Sequence, residues 1–206
     1  MSKYVFYYFD AKALGEPSRL LMAYGGQEFE DRRHTDEEWP AVKPKMLHGT
    51  VPVLEIDGKQ YSQSKAISRF LGRKYGLVGE SPEDALEIDQ IVDLLVDFRL
   101  KAEETSPRLQ PDEVIRERNF ANHSKNVFPD YLERLNAAIV KNNGHLALGK
   151  LTWADFMFAG SFDYQRNLLR MPDLTTKYPA FQQVVDNVYS IPQVKAYADA
   201  APFTEE

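Results

Sequence analysis

The chain has 206 residues, 43% of them hydrophobic and 12% aromatic, with 31 acidic against 25 basic side chains and a net charge of −6. That apolar content excludes a disordered chain, and Lys and Arg that are scattered rather than clustered argue against nucleic acid or an anionic membrane as the main partner. With no cysteine, disulfides and cysteine nucleophiles are excluded, so any sulfur chemistry must arrive with a ligand.

The first segment, KYVFYYF (3–9), reads as a strand, and a helix follows, entered through Glu16-Pro17. Strand side chains alternate, so Tyr7 is expected to face away from Tyr8. Tyr4 is assigned to packing, on the expectation that only a register defect would bring it to the face of Tyr8. Further strands are expected at EFEDRR (28–33), VPVLEI (51–56) and KQYS (59–62), with Asp57-Gly58 as a type I′ hairpin turn because both central residues need φ > 0. A helix is expected from about Ser64 to Tyr75. This rhythm describes a small α/β unit over residues 1–76.

Residues 77–83, rich in Gly, Ser, Pro and acids, read as a linker. Beyond it apolar residues recur at helical spacing: Ile88, Ile91, Leu95 and Phe98; Phe128, Leu132 and Leu135; Phe181, Val184, Val185 and Val188. Residues 84–206 are therefore expected to form an all-α domain. Four dispersed histidines offer no metal motif, and no metal is expected. No apolar run approaches the roughly 18 residues of a membrane span. The opening MSKYVFYYFD lacks a signal-peptide core, so a soluble cytoplasmic protein is expected.

Two junctions bear on function. Val51-Pro52 stands before a strand, where a cis bond would turn a backbone edge outward for an extended peptide, while an ordinary trans proline would do nothing of the kind. Gln63-Ser64 stands before a helix, whose first N–H groups favour a carboxylate; a plain N-cap by Ser64 or Ser62 is the alternative. Together they outline a pocket for a short peptide with an α-amino acid end.

The stretches YYFDAKALGEPSRLLMAYGGQEFED, EEWPAVKPKM, VPVLEIDGKQYSQSKAISRFLG and GKLTWADF resemble the cytosolic glutathione transferases, sigma class, of invertebrate type, a class that includes the glutathione-dependent prostaglandin D synthases. The resemblance implies a thioredoxin-like first domain, an all-helical second domain, a cis Val51-Pro52 bond and a homodimer. It implies that Tyr8 holds the sulfur of glutathione as a thiolate. Trp39 and Lys43 would hold the glycine carboxylate, Val51 the cysteinyl part, Gln63 and Ser64 the γ-glutamyl end, and Asp97 would reach that end from the partner subunit. Leu14, Thr50 and Pro52 complete the implied glutathione site. Leu14 and Thr50 stand where vertebrate members carry Arg and a basic residue, which counts against prostaglandin isomerase activity; Arg99 is the nearest compensating charge.

The co-substrate pocket is expected to be built from Phe9, Ala13, Leu14, Phe98, Arg99, Ala102, Met157 and Phe203, an apolar lining suited to hydrophobic electrophiles. Thr152 and Asp155 form the capping box of a core helix and are assigned to folding. The implied activity is conjugation of glutathione to such electrophiles, lipid-peroxidation products or hydroperoxides included. The alternatives are a glutathione-dependent prostaglandin D isomerase and a non-enzymatic, crystallin-like carrier.

Overall fold

The computed structural model describes residues 2–202; Phe203, expected in the co-substrate pocket, lies outside them. Strand β1 (Tyr4–Phe9) leads to α1 (Glu16–Tyr24) and β2 (Glu30–His34), then to the short helix α2 (Trp39–Val42) and two 3₁₀ turns. Strands β3 (Val53–Ile56) and β4 (Lys59–Ser62) form a hairpin, followed by α3 (Ser64–Lys74). The sheet order is β2-β1-β3-β4, with β1 parallel to β2 and the other pairs antiparallel. Asp57 and Gly58 take φ of 50° and 85°, as the two-residue turn demands.

Tyr4, Phe6 and Tyr8 lie in one core cluster, while Val5, Tyr7 and Val53 belong to another with Met46. Tyr7 is thus turned from Tyr8, as expected. Tyr4 is on the face of Tyr8, and its pairing with β3 is unbroken from Tyr4↔Ile56 to Tyr7↔Val53. The expectation that Tyr4 could reach this face only through a register defect is thus corrected: residues four apart in a strand have the same parity and share a face without one.

The rest is helical: α4 (Pro82–Glu103), α5 (Glu113–Asn126), α6 (Phe128–Lys141), α7 (Trp153–Leu169), α8 (Leu174–Lys177), α9 (Pro179–Tyr189) and α10 (Pro192–Ala200). Helix α4 starts inside the segment read as a linker. Ser81 accepts from the Asp84 N–H at 3.0 Å, and Asp84 accepts from the Ser81 N–H at 3.3 Å, a capping box that draws Pro82 and Glu83 into the first turn.

Helix α7 is buried on nearly every face, as an apolar helix at the centre of a fold must be. It packs on α1 and α3 of the sheet layer and on α4 and α9 of the helical layer. At the α1 contact Gly160 has no room for a side chain, since a Cβ there would lie 2.6 Å from the Pro17 nitrogen. Its first turn is fixed by Asp155, wholly buried, which accepts from the Thr152 N–H at 2.7 Å, the Thr152 hydroxyl at 3.0 Å and the Leu146 N–H at 3.0 Å. One core cluster therefore runs from Tyr4 to Val194 through both layers.

Candidate active site

Register alone brings the two sequence junctions to Tyr8. Tyr7 pairs with Val53, and Val53 with Ser62. Tyr8 lies one residue past this row, Pro52 and Val51 one and two residues before it, and Gln63 and Ser64 one and two residues after it. All five therefore gather at the edge where β1 ends. Phe9 pairs with His34, the last residue of β2, so the chain running on to Trp39 leaves from the same edge. The carboxyl end of a strand beside a helix N-terminus is where α/β folds place ligands.

Tyr8 is 2% exposed. Its hydroxyl oxygen accepts the Leu14 backbone N–H at 3.1 Å; a phenol can do this while donating its own proton. Leu14 thus reaches the site through its main chain, although its side chain carries no charge. The loop that carries Leu14 is held from beneath by Arg19, a fully buried residue that reading the sequence passed over. Arg19 donates to the Ala11 carbonyl at 2.7 Å, the Phe9 carbonyl at 3.4 Å and Asp31 at 3.1 Å. Its guanidinium lies 5.6 Å from the centre of the Tyr8 ring and 3.4 Å from the Glu16 carboxylate. Burial pushes the Glu16 carboxyl up from its ordinary value, against the pull of Arg19.

Trp39 opens α2 and meets Phe9 edge to face, with ring centres 5.2 Å apart. Lys43 opens the following 3₁₀ turn and, among the described residues, forms no ion pair. Thr50 is extended, and the Val51-Pro52 bond is cis. Gln63 occupies the N-cap of α3 at φ 76° and ψ 108°, a strained backbone for a residue with a Cβ. Neither it nor Ser64, the first helical residue, caps the helix through its side chain. The first N–H groups of α3 thus have no side-chain acceptor at the cap position, where a bound carboxylate would fit. Asp97 is exposed on α4.

The residues expected around a co-substrate divide in two. Phe98, Ala102, Met157 and Ala13 are packed into the core, at 5% exposure or less, while Phe9 and Leu14 sit partly buried at its edge. Arg99 is paired with Glu103 at 2.6 Å. The same Glu103 oxygen accepts the Tyr164 hydroxyl at 3.1 Å. Burial, reinforced by Glu103, holds the Tyr164 phenol far above its usual range, and Tyr164 also feels the charges of Tyr8 and Arg108. Arg108 lies over Phe9, its guanidinium 5.6 Å from the ring centre. The i, i+4 spacing of Arg99 and Glu103 was a readable signal for their pairing; nothing local in the sequence joins Tyr164 or Arg108 to Tyr8. Among the described residues no cluster of three or more His, Asp or Glu could hold a metal ion.

Comparison with known proteins places this site in context. The family model of the glutathione S-transferase N-terminal domain matches residues 5–73, and that of the glutathione S-transferase C-terminal domain matches residues 105–201. The chain is 52% identical to glutathione S-transferase 2 of Manduca sexta over the full length of both. It is 47% identical to glutathione S-transferase S1 of Drosophila melanogaster, over 98% of this chain and 80% of that one. Among solved structures, prostaglandin synthase D of Nilaparvata lugens superimposes with a TM-score of 0.91 at 35% identity, covering 98% of this chain and 100% of the other.

Proposed function

The chain belongs to the glutathione S-transferase family and is a glutathione transferase, and from that premise we propose that it ionises the glutathione thiol beside Tyr8 and transfers the sulfur to hydrophobic electrophiles. The observation that carries this reading is the Leu14 N–H bonded to the Tyr8 oxygen at the sheet edge where the two junctions meet. A phenol whose oxygen already accepts one hydrogen bond is a stronger donor through its own proton. Donated to sulfur, that proton favours thiolate over a thiol whose ordinary pKa is about 8.5.

The peptide lies along the same edge. Its γ-glutamyl carboxylate meets the N-terminus of α3 with Gln63 and Ser64, the cysteinyl amide pairs with the Val51 backbone beside Pro52 and Thr50, and the glycine carboxylate reaches Trp39 and Lys43. Sulfur then attacks an electrophilic carbon: a new C–S bond forms as halide leaves a halogenated aromatic ring. With an unsaturated aldehyde the alkene electrons move to the carbonyl, and the resulting enolate takes a proton from solvent.

The functional unit in this reading is a cytoplasmic homodimer of sigma-class type, in which Asp97 of each copy approaches the γ-glutamyl amine bound to the other. Exposed Tyr61, Phe70 and Leu86, together with the apolar cleft of about 420 Å³ between the β3–β4 hairpin and α3, support such a contact. The junction between glutathione-binding and helical domains falls in residues 77–83. No helix among the described residues is long and apolar enough to cross a membrane.

The likeness to a prostaglandin synthase D favours isomerisation of a prostaglandin endoperoxide as a second reading. Conjugation is preferred because Leu14 brings no cation and Arg99 is engaged by Glu103. A pH titration of the ultraviolet thiolate band of bound glutathione tests the main reading. The band is expected to appear well below the pH at which free glutathione ionises, and to move back toward that pH in Tyr8→Phe; glutathione bound with no shifted band would overturn it.

A further inference from the structure

The cations around the site are not equivalent. Arg99 is committed to Glu103 and, through it, to Tyr164. Lys12 lies 3.6 Å from Asp163, which also holds Arg166 at 3.2 Å. Arg33 is shared between Asp31 and Asp10. Arg108 differs from these three: among the described residues no carboxylate pairs with it, as none pairs with Lys43, which the proposed glycine-carboxylate site engages. It is exposed on the segment between α4 and α5, and its recorded contact is the face of Phe9.

Position gives that cation a use. The Phe9 ring is 5.7 Å from the Tyr8 ring, so the guanidinium stands two ring contacts from the hydroxyl assigned to the thiolate. Leu109, its neighbour in sequence, is 55% exposed and adds an apolar side chain to the same segment. A flat guanidinium on an aromatic face keeps its outward N–H fork in the geometry that takes a carboxylate through two hydrogen bonds. Cation, ring and exposed leucine together make an amphipathic rim, matched to a ligand that is apolar along its chain and anionic at one end.

We propose that Arg108 is a specificity-determining residue that selects hydrophobic electrophiles carrying a carboxylate, such as oxidised fatty acids with an α,β-unsaturated carbonyl, for attack by the glutathione thiolate. The inference rests on the transferase reading and narrows its substrate class. In the reaction sulfur bonds to the β-carbon, the alkene electrons pass to the carbonyl oxygen and a solvent proton completes the saturated ketone. The carboxylate is unchanged and serves only as the handle.

The test compares an α,β-unsaturated oxo fatty acid with its methyl ester, with chlorodinitrobenzene as an uncharged reference electrophile. In the native enzyme kcat/KM for the acid is expected to exceed that for the ester by about tenfold, the worth of one charge-assisted hydrogen-bonded contact. Arg108→Gln brings the ratio near one, Arg108→Lys retains only part of it because an ammonium lacks the planar fork, and high salt lowers it in the native enzyme. A native ratio near or below one, or a ratio unchanged in Arg108→Gln, overturns the role of Arg108 while leaving the transferase reading standing. Failure to conjugate any of the three compounds overturns both.

Discussion

The ring of Tyr8 rests against the backbone of Gly15, so closely that a Cβ on Gly15 would lie 2.5 Å from Tyr8 Cδ1 and 2.7 Å from Cγ. The hydroxyl that meets Leu14 is thus placed from two sides, by a hydrogen bond at its tip and by a missing side chain at its root.

Gly15→Ala is therefore expected to turn the Tyr8 ring and cut kcat/KM by roughly 100-fold, about the loss produced by removing one positioned donor. Its circular dichroism spectrum should remain native. Unchanged kinetics would show that the ring can shift without losing the sulfur.

Tyr8→Phe removes the hydroxyl and leaves the packing. Glutathione affinity, measured by calorimetry, is expected to hold, while the conjugation rate falls roughly 100- to 1,000-fold. Equal losses in affinity and rate would assign Tyr8 to binding alone.

Arg19→Met leaves the Glu16 carboxylate, 3% exposed, without its nearest cation. Removing one partner from a buried pair costs about 3–5 kcal/mol, and denaturant unfolding should show it. Adding Glu16→Gln to Arg19→Met should recover part of the loss, because no buried charge is then stranded. An Arg19→Met protein of native stability would refute the account of the network.

His145 is the pH-sensitive group beside the wholly buried Asp155. Its Nδ1 lies 3.3 Å from an Asp155 oxygen, and the hydrogen bond to that carboxylate raises the imidazole above its ordinary value of 6.5. A folded-state pKa above the unfolded one stabilises the fold fully at pH below the unfolded value and loses that contribution as pH rises through the folded one. The melting temperature of the native protein should thus exceed that of His145→Gln by most near pH 5.5, and the gap should close above neutrality. A gap that widens with pH would reverse the assignment.

Legibility in the sequence followed the range of the interactions. The Asp57-Gly58 turn and the Thr152/Asp155 capping box are specified within four residues and could be read directly. So can the capping box at Ser81 and Asp84, although the composition of residues 77–83 is that of a loop. The face of Tyr4 is also legible locally, since strand parity alone sets it with Tyr8. The Leu14 contribution was invisible in principle, since a main-chain N–H leaves no trace in residue identity. In sequence Arg19 is like any charged residue on a helix; only the path of the loop above it shows that its guanidinium has two carbonyl and two carboxylate partners inside the protein. The grouping of Glu103, Tyr164 and Arg108 near Tyr8 depends on how α4 and α7 cross, which no window of sequence contains.

Helix α7 serves as the floor of both layers, and Gly160 brings it against α1 with no space between. The molecule is accordingly less a pair of exchangeable modules than a single rigid block with an adjustable margin. Helix α5 is solvent-exposed along most of its length, with only His123 buried, and the segment before it carries Arg108 and Leu109. Insertions and charges placed there would leave the block intact, so on the reading proposed above a lineage could retarget its electrophiles by editing this margin without touching the residues around Tyr8.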